Sequence, residues 1–231
     1  MKKILLLALL IGFGTISSLH AQFTGKKFLS GDALINFQQN KEEPDISRNE
    51  YGYNLNLSFG KFKTENQASG WTISNSLAGG KRFYEINTGG AITDFSKSGI
   101  TSVGFGVGRF WQFYRHFNEH VGIFGGPSVD LSYSNSINYS ANDGYLLESK
   151  INKVNLGLTL SAGVYYNLSE KWWLTASVAF ANPIAISFQS ANYSNPPATD
   201  VNFKTKQLDY QLTPAFTFPS VGLGVRYLYG R

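Results

Sequence analysis

The sequence predicts an all-β chain, and three observations carry that prediction. Apolar residues return at every second position along several stretches, which is the period of a strand with one apolar face. The alternate positions are small and uncharged rather than Lys or Glu. No stretch after the N-terminal leader approaches the ~18 consecutive apolar residues of a membrane-spanning helix. Together these predict an eight-stranded antiparallel up-and-down transmembrane β-barrel, preceded by a cleaved signal peptide.

The leader comes first. Met1, Lys2 and Lys3 precede an apolar run from Ile4 to about Phe13, and Ser17 to Ala21 end in small residues. A basic start, a short apolar core and a small-residue site describe a secretory signal peptide cut after Ala21. Residues 1–21 are therefore assigned to the signal peptide and 22–231 to one barrel domain, exported to the cell outer membrane. Of 20 basic residues, losing Lys2 and Lys3 leaves 18 against 15 acidic. These charges are scattered, so no nucleic-acid partner is expected. Cysteine is absent, which excludes disulfides, thiol catalysis and Cys-ligated zinc.

The strands follow in order. Ala33, Ile35 and Phe37 mark the first; Tyr51, Tyr53, Leu55, Leu57 and Phe59 the second; Trp71, Ile73 and Leu77 the third. Val103, Phe105 and Val107, alternating with glycines, mark the fourth. Val121, Ile123, Val129, Leu131 and Tyr133 share one parity in the fifth. Val154 to Val164 give the sixth, Trp172 to Phe180 the seventh, and Val221 to Tyr229 the last. Strands of about 10–15 residues would span the ~25 Å apolar band of an outer-membrane barrel.

The connections alternate in length. Residues 64–70, 114–120 and 167–171 read as short turns, and 39–50, 87–99, 134–150 and 189–206 as long polar loops. Short turns on one rim and long loops on the other are the pattern of such barrels, with the loops outside.

The polar faces decide which solvent meets which side. Tyr51 to Gly60, Thr101 to Gly108, Val121 to Val129, Val154 to Tyr166 and Trp172 to Asn182 hold no formal charge. Gly, Asn, Ser and Thr suit a narrow lumen, and lipid then bathes the Leu/Val/Tyr side. Trp71, Trp111, Trp172 and Trp173 lie beside short turns, and with Tyr166, Tyr227 and Tyr229 they predict an aromatic girdle at the periplasmic rim. Asp32, Asn54, Asn56, Asp130, Asn155 and Arg226 fall on lumen parities and are expected to form an interior polar network. Arg109 falls on the lipid parity, where it must either snorkel to the rim or turn inward at a bulge near Gly108. Pro127 cannot donate to the ladder, so a bulge is expected there.

Two patterns suggest chemistry and are better read as structure. His116-Phe-Asn-Glu-His120 matches H-x-x-E-H, but it lies in a turn rather than on the helix that would align both imidazoles. In Gly104-x-Gly106-x-Gly108 the third glycine of a nucleotide loop falls at Arg109. No catalytic residue, cofactor or metal site is expected, and the chain is not expected to be an enzyme.

Phe110-Trp-Gln-Phe-Tyr-Arg115, leading through a turn to Val121–Gly126, the stretch Ser161–Leu174 and the final strand Val221–Tyr229 carry a resemblance. They resemble the small outer-membrane β-barrel family, the OmpA/OmpX-like proteins of Gram-negative bacteria. That resemblance implies a membrane scaffold, rarely with a defined chemistry. Family members often end on an aromatic residue, whereas this sequence ends Tyr229-Gly230-Arg231. The expected function is non-enzymatic, structural or surface-interacting, with the bilayer as partner and lipopolysaccharide or another external ligand at the long loops. A narrow channel for ions or small solutes is the second class. A lipid- or peptide-acting enzyme, or a part of a secretion or assembly complex, is the third. Oligomeric state is not legible.

Overall fold

The computed structural model describes residues 23–42, 46–88, 91–142, 145–194, 202–212 and 221–230. The leader 1–21 and its cut site lie outside them. Every described element is a strand: β1 Lys27–Glu42, β2 Ile46–Thr64, β3 Gln67–Thr88, β4 Ala91–His116, β5 Val121–Asn142, β6 Tyr145–Asn167, β7 Trp172–Ser194, β8 Asn202–Leu212 and β9 Val221–Tyr229. Among the described residues no helix is long and apolar enough to cross a membrane.

All pairings are antiparallel, and they return to their starting point. Each of β1 to β7 pairs with its successor up to β7, β7 pairs with β9, and β9 pairs with β1. β8 lies further along the same edge of β7 as β9. Nine elements thus stand where eight strands are predicted, because the last position is divided.

One row of register partners shows the stagger. From Trp172 it runs through Tyr227, Leu29, Phe59, Trp71, Arg109, Val129 and Leu158, then meets β7 again at Ile184 rather than at Trp172. Strands must tilt for a ring of pairs to close with such an offset.

The predicted loops are replaced by strand. Pairing continues to Glu42↔Ile46, Thr88↔Ala91, Asn142↔Tyr145 and Ser194↔Asn202. The 39–50, 87–99, 134–150 and 189–206 segments are therefore mostly hairpin, and residues 43–45, 89–90, 143–144 and 195–201 lie outside the described set. Paired strands satisfy backbone donors and acceptors whatever their side chains are. A hairpin wet on both faces needs no apolar alternation, so the sequence marks it only weakly. The short turns are tighter than predicted, with β2 and β3 separated only by Glu65 and Asn66.

Bulges also fall elsewhere. No residue is inserted at Pro127: Phe110↔Ser128 and Phe113↔Gly125 keep one register, and the β4–β5 ladder lapses between them. Gly126 sits so close to Trp111 there that an added Cβ would lie 2.0 Å from the Trp111 carbonyl oxygen. The register instead shifts at Phe62/Thr64 beside the first short turn, at Ala78/Gly79, where Thr101 is the extra residue, and twice on β7, at Asn182–Pro183 and at Phe180. A proline without an N–H is tolerated at such a bulge.

The large buried side chains gather at the short-turn end. Phe23, Phe28, Phe62, Phe110, Tyr114, Phe124, Tyr165, Trp173 and Leu228 form one cluster. On the strands they occupy inward parities, while Leu29, Phe59, Trp71, Phe113, Ile123, Val164, Trp172 and Leu174 face out and are exposed.

Candidate functional site: the floored interior

Inward glycines make room for the aromatic floor. A Cβ on Gly70 would lie 2.5 Å from the Phe110 ring, one on Gly122 2.5 Å from the ring carbons of Tyr165, and one on Gly163 2.5 Å from the Phe124 ring. These rings lie against bare backbone. Around them Tyr165 and Trp173 stack at 4.4 Å between centroids, and Phe62 meets Tyr114 at 5.0 Å and Phe28 at 5.6 Å.

Arg226 rests on this floor and is only 3% exposed. Its guanidinium lies 4.2 Å from the Phe28 centroid and within 6 Å of Phe124, Tyr114 and Trp173. It donates to the Tyr114 hydroxyl and, at 3.2 Å, to Gln112 Oε1; Tyr114 in turn donates to Gln112 at 2.6 Å. Among the described residues no carboxylate pairs with it. Ring quadrupoles and two neutral acceptors hold the charge, a cation–π arrangement that gains strength where water is excluded.

Above the floor is a cavity of about 190 Å³, with Ser58, Ser161, Thr175, Ser177, Asp32 and Arg226 in its wall. Asn56 donates to Asp32 Oδ2 at 2.9 Å, and Asn56 with Asn54 also lines a second space of about 200 Å³. Asp130 accepts from Ser128 at 2.7 Å. Asn155 stands between Ser132 and Ser187 in register. The six predicted interior residues thus do not form one network. Asp32 joins Asn56, Asp130 joins Ser128, and Arg226 joins Tyr114 and Gln112, which the sequence reading omitted. The inward parity of Tyr114 and Gln112 was the signal that could have found them.

The predicted girdle divides as well. Trp71, Trp111, Trp172 and Tyr229 are exposed on the outer face with Tyr166, and Tyr227 is half-buried. Trp173 is fully buried in the floor. Successive strand residues point to opposite faces, so adjacent tryptophans cannot share a girdle. Arg109 stays on the outer face: its guanidinium lies over Trp71 at 5.2 Å and Trp111 at 5.8 Å, and Nη2 donates to Ser69 Oγ at 3.3 Å.

The two histidines of the H-x-x-E-H pattern part company. His116 Nε2 donates to the Glu65 carbonyl at 3.0 Å, and Nδ1 is hydrogen-bonded to the Tyr165 hydroxyl. His120 is exposed and stacked on Tyr166. Among the described residues no group of three or more His, Cys, Asp or Glu is arranged to hold a metal.

Fold and site together define an antiparallel sheet closed through its pairings, apolar outside, with a polar interior above an aromatic floor. By structure the chain is similar to the outer membrane protein OprG of Pseudomonas aeruginosa, at 16% identity, covering 90% of this chain and 98% of that one, with a TM-score of 0.43. It is also similar to the outer membrane protein Ail of Yersinia pestis, at 17% identity, covering 89% and 99%, with a TM-score of 0.27. No family model and no curated protein matches the sequence.

Proposed function

We propose that residues 22–231 form an eight-stranded up-and-down β-barrel of the bacterial outer membrane, OmpA/OmpX-like, with β8 and β9 as one interrupted stave. It is exported by the signal peptide 1–21 and has no catalytic function. One observation carries the reading: the ring is inside-out relative to a water-soluble barrel. Leu55, Leu57, Val107, Leu131, Leu156 and Leu174 are exposed, while Ser58, Ser74, Ser161 and Gly104 face the interior. Outward aliphatic rows of this extent would be insoluble in water and are stable in hydrocarbon, where closed pairing leaves no backbone group unsatisfied.

The short turns lie at the periplasmic rim and the long hairpins outside. A strand of the 26 residues of β4, tilted by ~40°, climbs roughly 65 Å, more than twice the ~25 Å apolar band. The surplus projects as paired ribbon. Lys81, Arg82, Lys97, Lys150, Lys204 and Lys206 lie on these extensions with only Glu50, Glu148 and Asp209 against them among residues with described side chains. That balance suits an external ligand with anionic groups, lipopolysaccharide among them. The aromatic floor favours a closed scaffold over a conducting pore.

Outer membranes carrying the protein test the reading. It should resist carbonate extraction and migrate differently on a denaturing gel when unboiled. Release by carbonate, or one mobility under both conditions, would contradict it.

A further inference from the structure

The outer wall near the short-turn rim carries an excess of positive charge that the protein itself does not neutralise. Lys27 and Lys61 are direct register partners on β1 and β2, on the same outward parity, and both are exposed. Like charges directly opposite on neighbouring strands are destabilising unless an anion lies between them. The same row continues from Lys61 to Ser69 and then to Trp111. Arg109 reaches into it from one step higher. Its cross-strand partner is Trp71, yet its guanidinium bends toward the turn and donates to Ser69 Oγ. Three cations therefore share this part of the outer wall, beside two indoles.

Nothing acidic answers them. Among the described residues none of the three cations is in an ion pair. Glu65, at the adjoining turn, is held by the Phe23 amide at 3.1 Å. Ser69 is itself buried and accepts from Arg109, which fixes the guanidinium against the wall. A charge on a hydrocarbon-facing wall bends toward the polar boundary and draws headgroups to itself.

We infer that Lys27, Lys61 and Arg109, bracketed by Trp71 and Trp111, bind the phosphate of an anionic phospholipid in the leaflet on the short-turn side. The phosphodiester oxygens accept from both ammonium groups and the guanidinium, which Ser69 holds from behind, while the acyl chains lie along Phe59 and Trp71. This rests on the membrane reading above.

Brominated lipids test it, since bromine quenches tryptophan on contact. The protein carrying Trp172→Phe, which removes the other exposed tryptophan, is reconstituted in phosphatidylcholine vesicles. A minor fraction of either phosphatidylglycerol or phosphatidylcholine is brominated on its chains. Phosphatidylglycerol should quench more strongly at equal fraction. Each lysine replaced in Lys27→Gln/Lys61→Gln should lower that preference roughly fivefold, the weight of one surface cation against an anionic lipid. If the double variant loses its gel shift, Lys61→Gln alone carries the measurement. Equal quenching by both lipids, or a preference unchanged in the variants, would overturn the site. Loss of preference on adding inorganic phosphate, but not chloride of equal ionic strength, would assign it to a soluble anion instead. Quenching by neither lipid would overturn the membrane reading itself, a result distinct from equal quenching by both.

Discussion

The guanidinium of Arg226 lies 4.2 Å from the centroid of the Phe28 ring, on a strand directly paired with the one that carries Phe28. This contact joins the only buried charge among the described residues to the aromatic cluster that fills the short-turn end. Replacing Arg226 by Ala removes about 2 kcal/mol of desolvated cation–π attraction and two buried hydrogen bonds from a charged donor. Because the buried charge's own desolvation penalty is relieved at the same time, the expected net cost is roughly 3–5 kcal/mol. Arg226→Met keeps the apolar stem over Phe28 and should cost about half as much. The temperature at which the unboiled form loses its gel shift checks both, and equal shifts would separate Arg226 from the floor.

The floor also decides conduction. Phe62, Tyr165 and Trp173 are all but fully buried across the interior, and packed rings there oppose a water-filled path. The protein should show no steady conductance in planar bilayers. Trp173→Ala with Phe62→Ala should introduce leak currents, at a stability cost near 3–5 kcal/mol for each large aromatic removed. Open-channel conductance in the unaltered protein would contradict the closed scaffold.

Glycines in the wall should differ sharply in tolerance. An added Cβ at Gly70 would lie 2.1 Å from the Phe59 carbonyl oxygen, whereas at Gly157 the nearest atom is 3.7 Å away. Gly70→Ala is expected to cost at least about 2 kcal/mol through overpacking, and Gly157→Ala to stay within ~0.5 kcal/mol. Urea unfolding in vesicles measures both.

Much of this was legible in the sequence, and the reasons are physical. Period-two alternation from Tyr51 to Phe59 and from Val154 to Val164 survives because one face of each strand is apolar and the other is not. The hairpin extensions were missed: Ser134 to Lys150 is rich in Ser and Asn, and Ile137, Tyr139 and Ala141, which keep the odd parity of Leu131 and Tyr133, were the weak signal that the strand continues. The interior charges were placed by parity, but their partners were not. Parity gives a side of the wall, whereas the Arg226–Tyr114 contact joins β9 to β4 across the interior. Trp172 and Trp173 show the opposite failure: composition grouped two neighbours that alternation separates.

The extended hairpins should be braced by contacts rather than frayed. The rings of Tyr84 on β3 and Tyr139 on β5 lie 5.7 Å apart, and Lys97 Nζ on β4 lies 5.5 Å from the Tyr139 centroid. Tyr139→Ala should lose roughly 1 kcal/mol locally. Amide exchange across 96–100 and 136–140 would then quicken about fivefold by mass spectrometry, with exchange around Leu156 unchanged. Uniform quickening throughout would show that the extensions do not open independently.

The most direct test concerns the solvent outside the ring. The chain has no cysteine, so single nitroxide labels can be placed at each position from Val154 to Val164 in vesicles. Oxygen, which partitions into lipid, should reach labels at 154, 156, 158, 160, 162 and 164 more readily than a water-soluble nickel chelate does, with the intervening positions reversed. The opposite phase, with the chelate favouring the even positions, would mean that water bathes the aliphatic face.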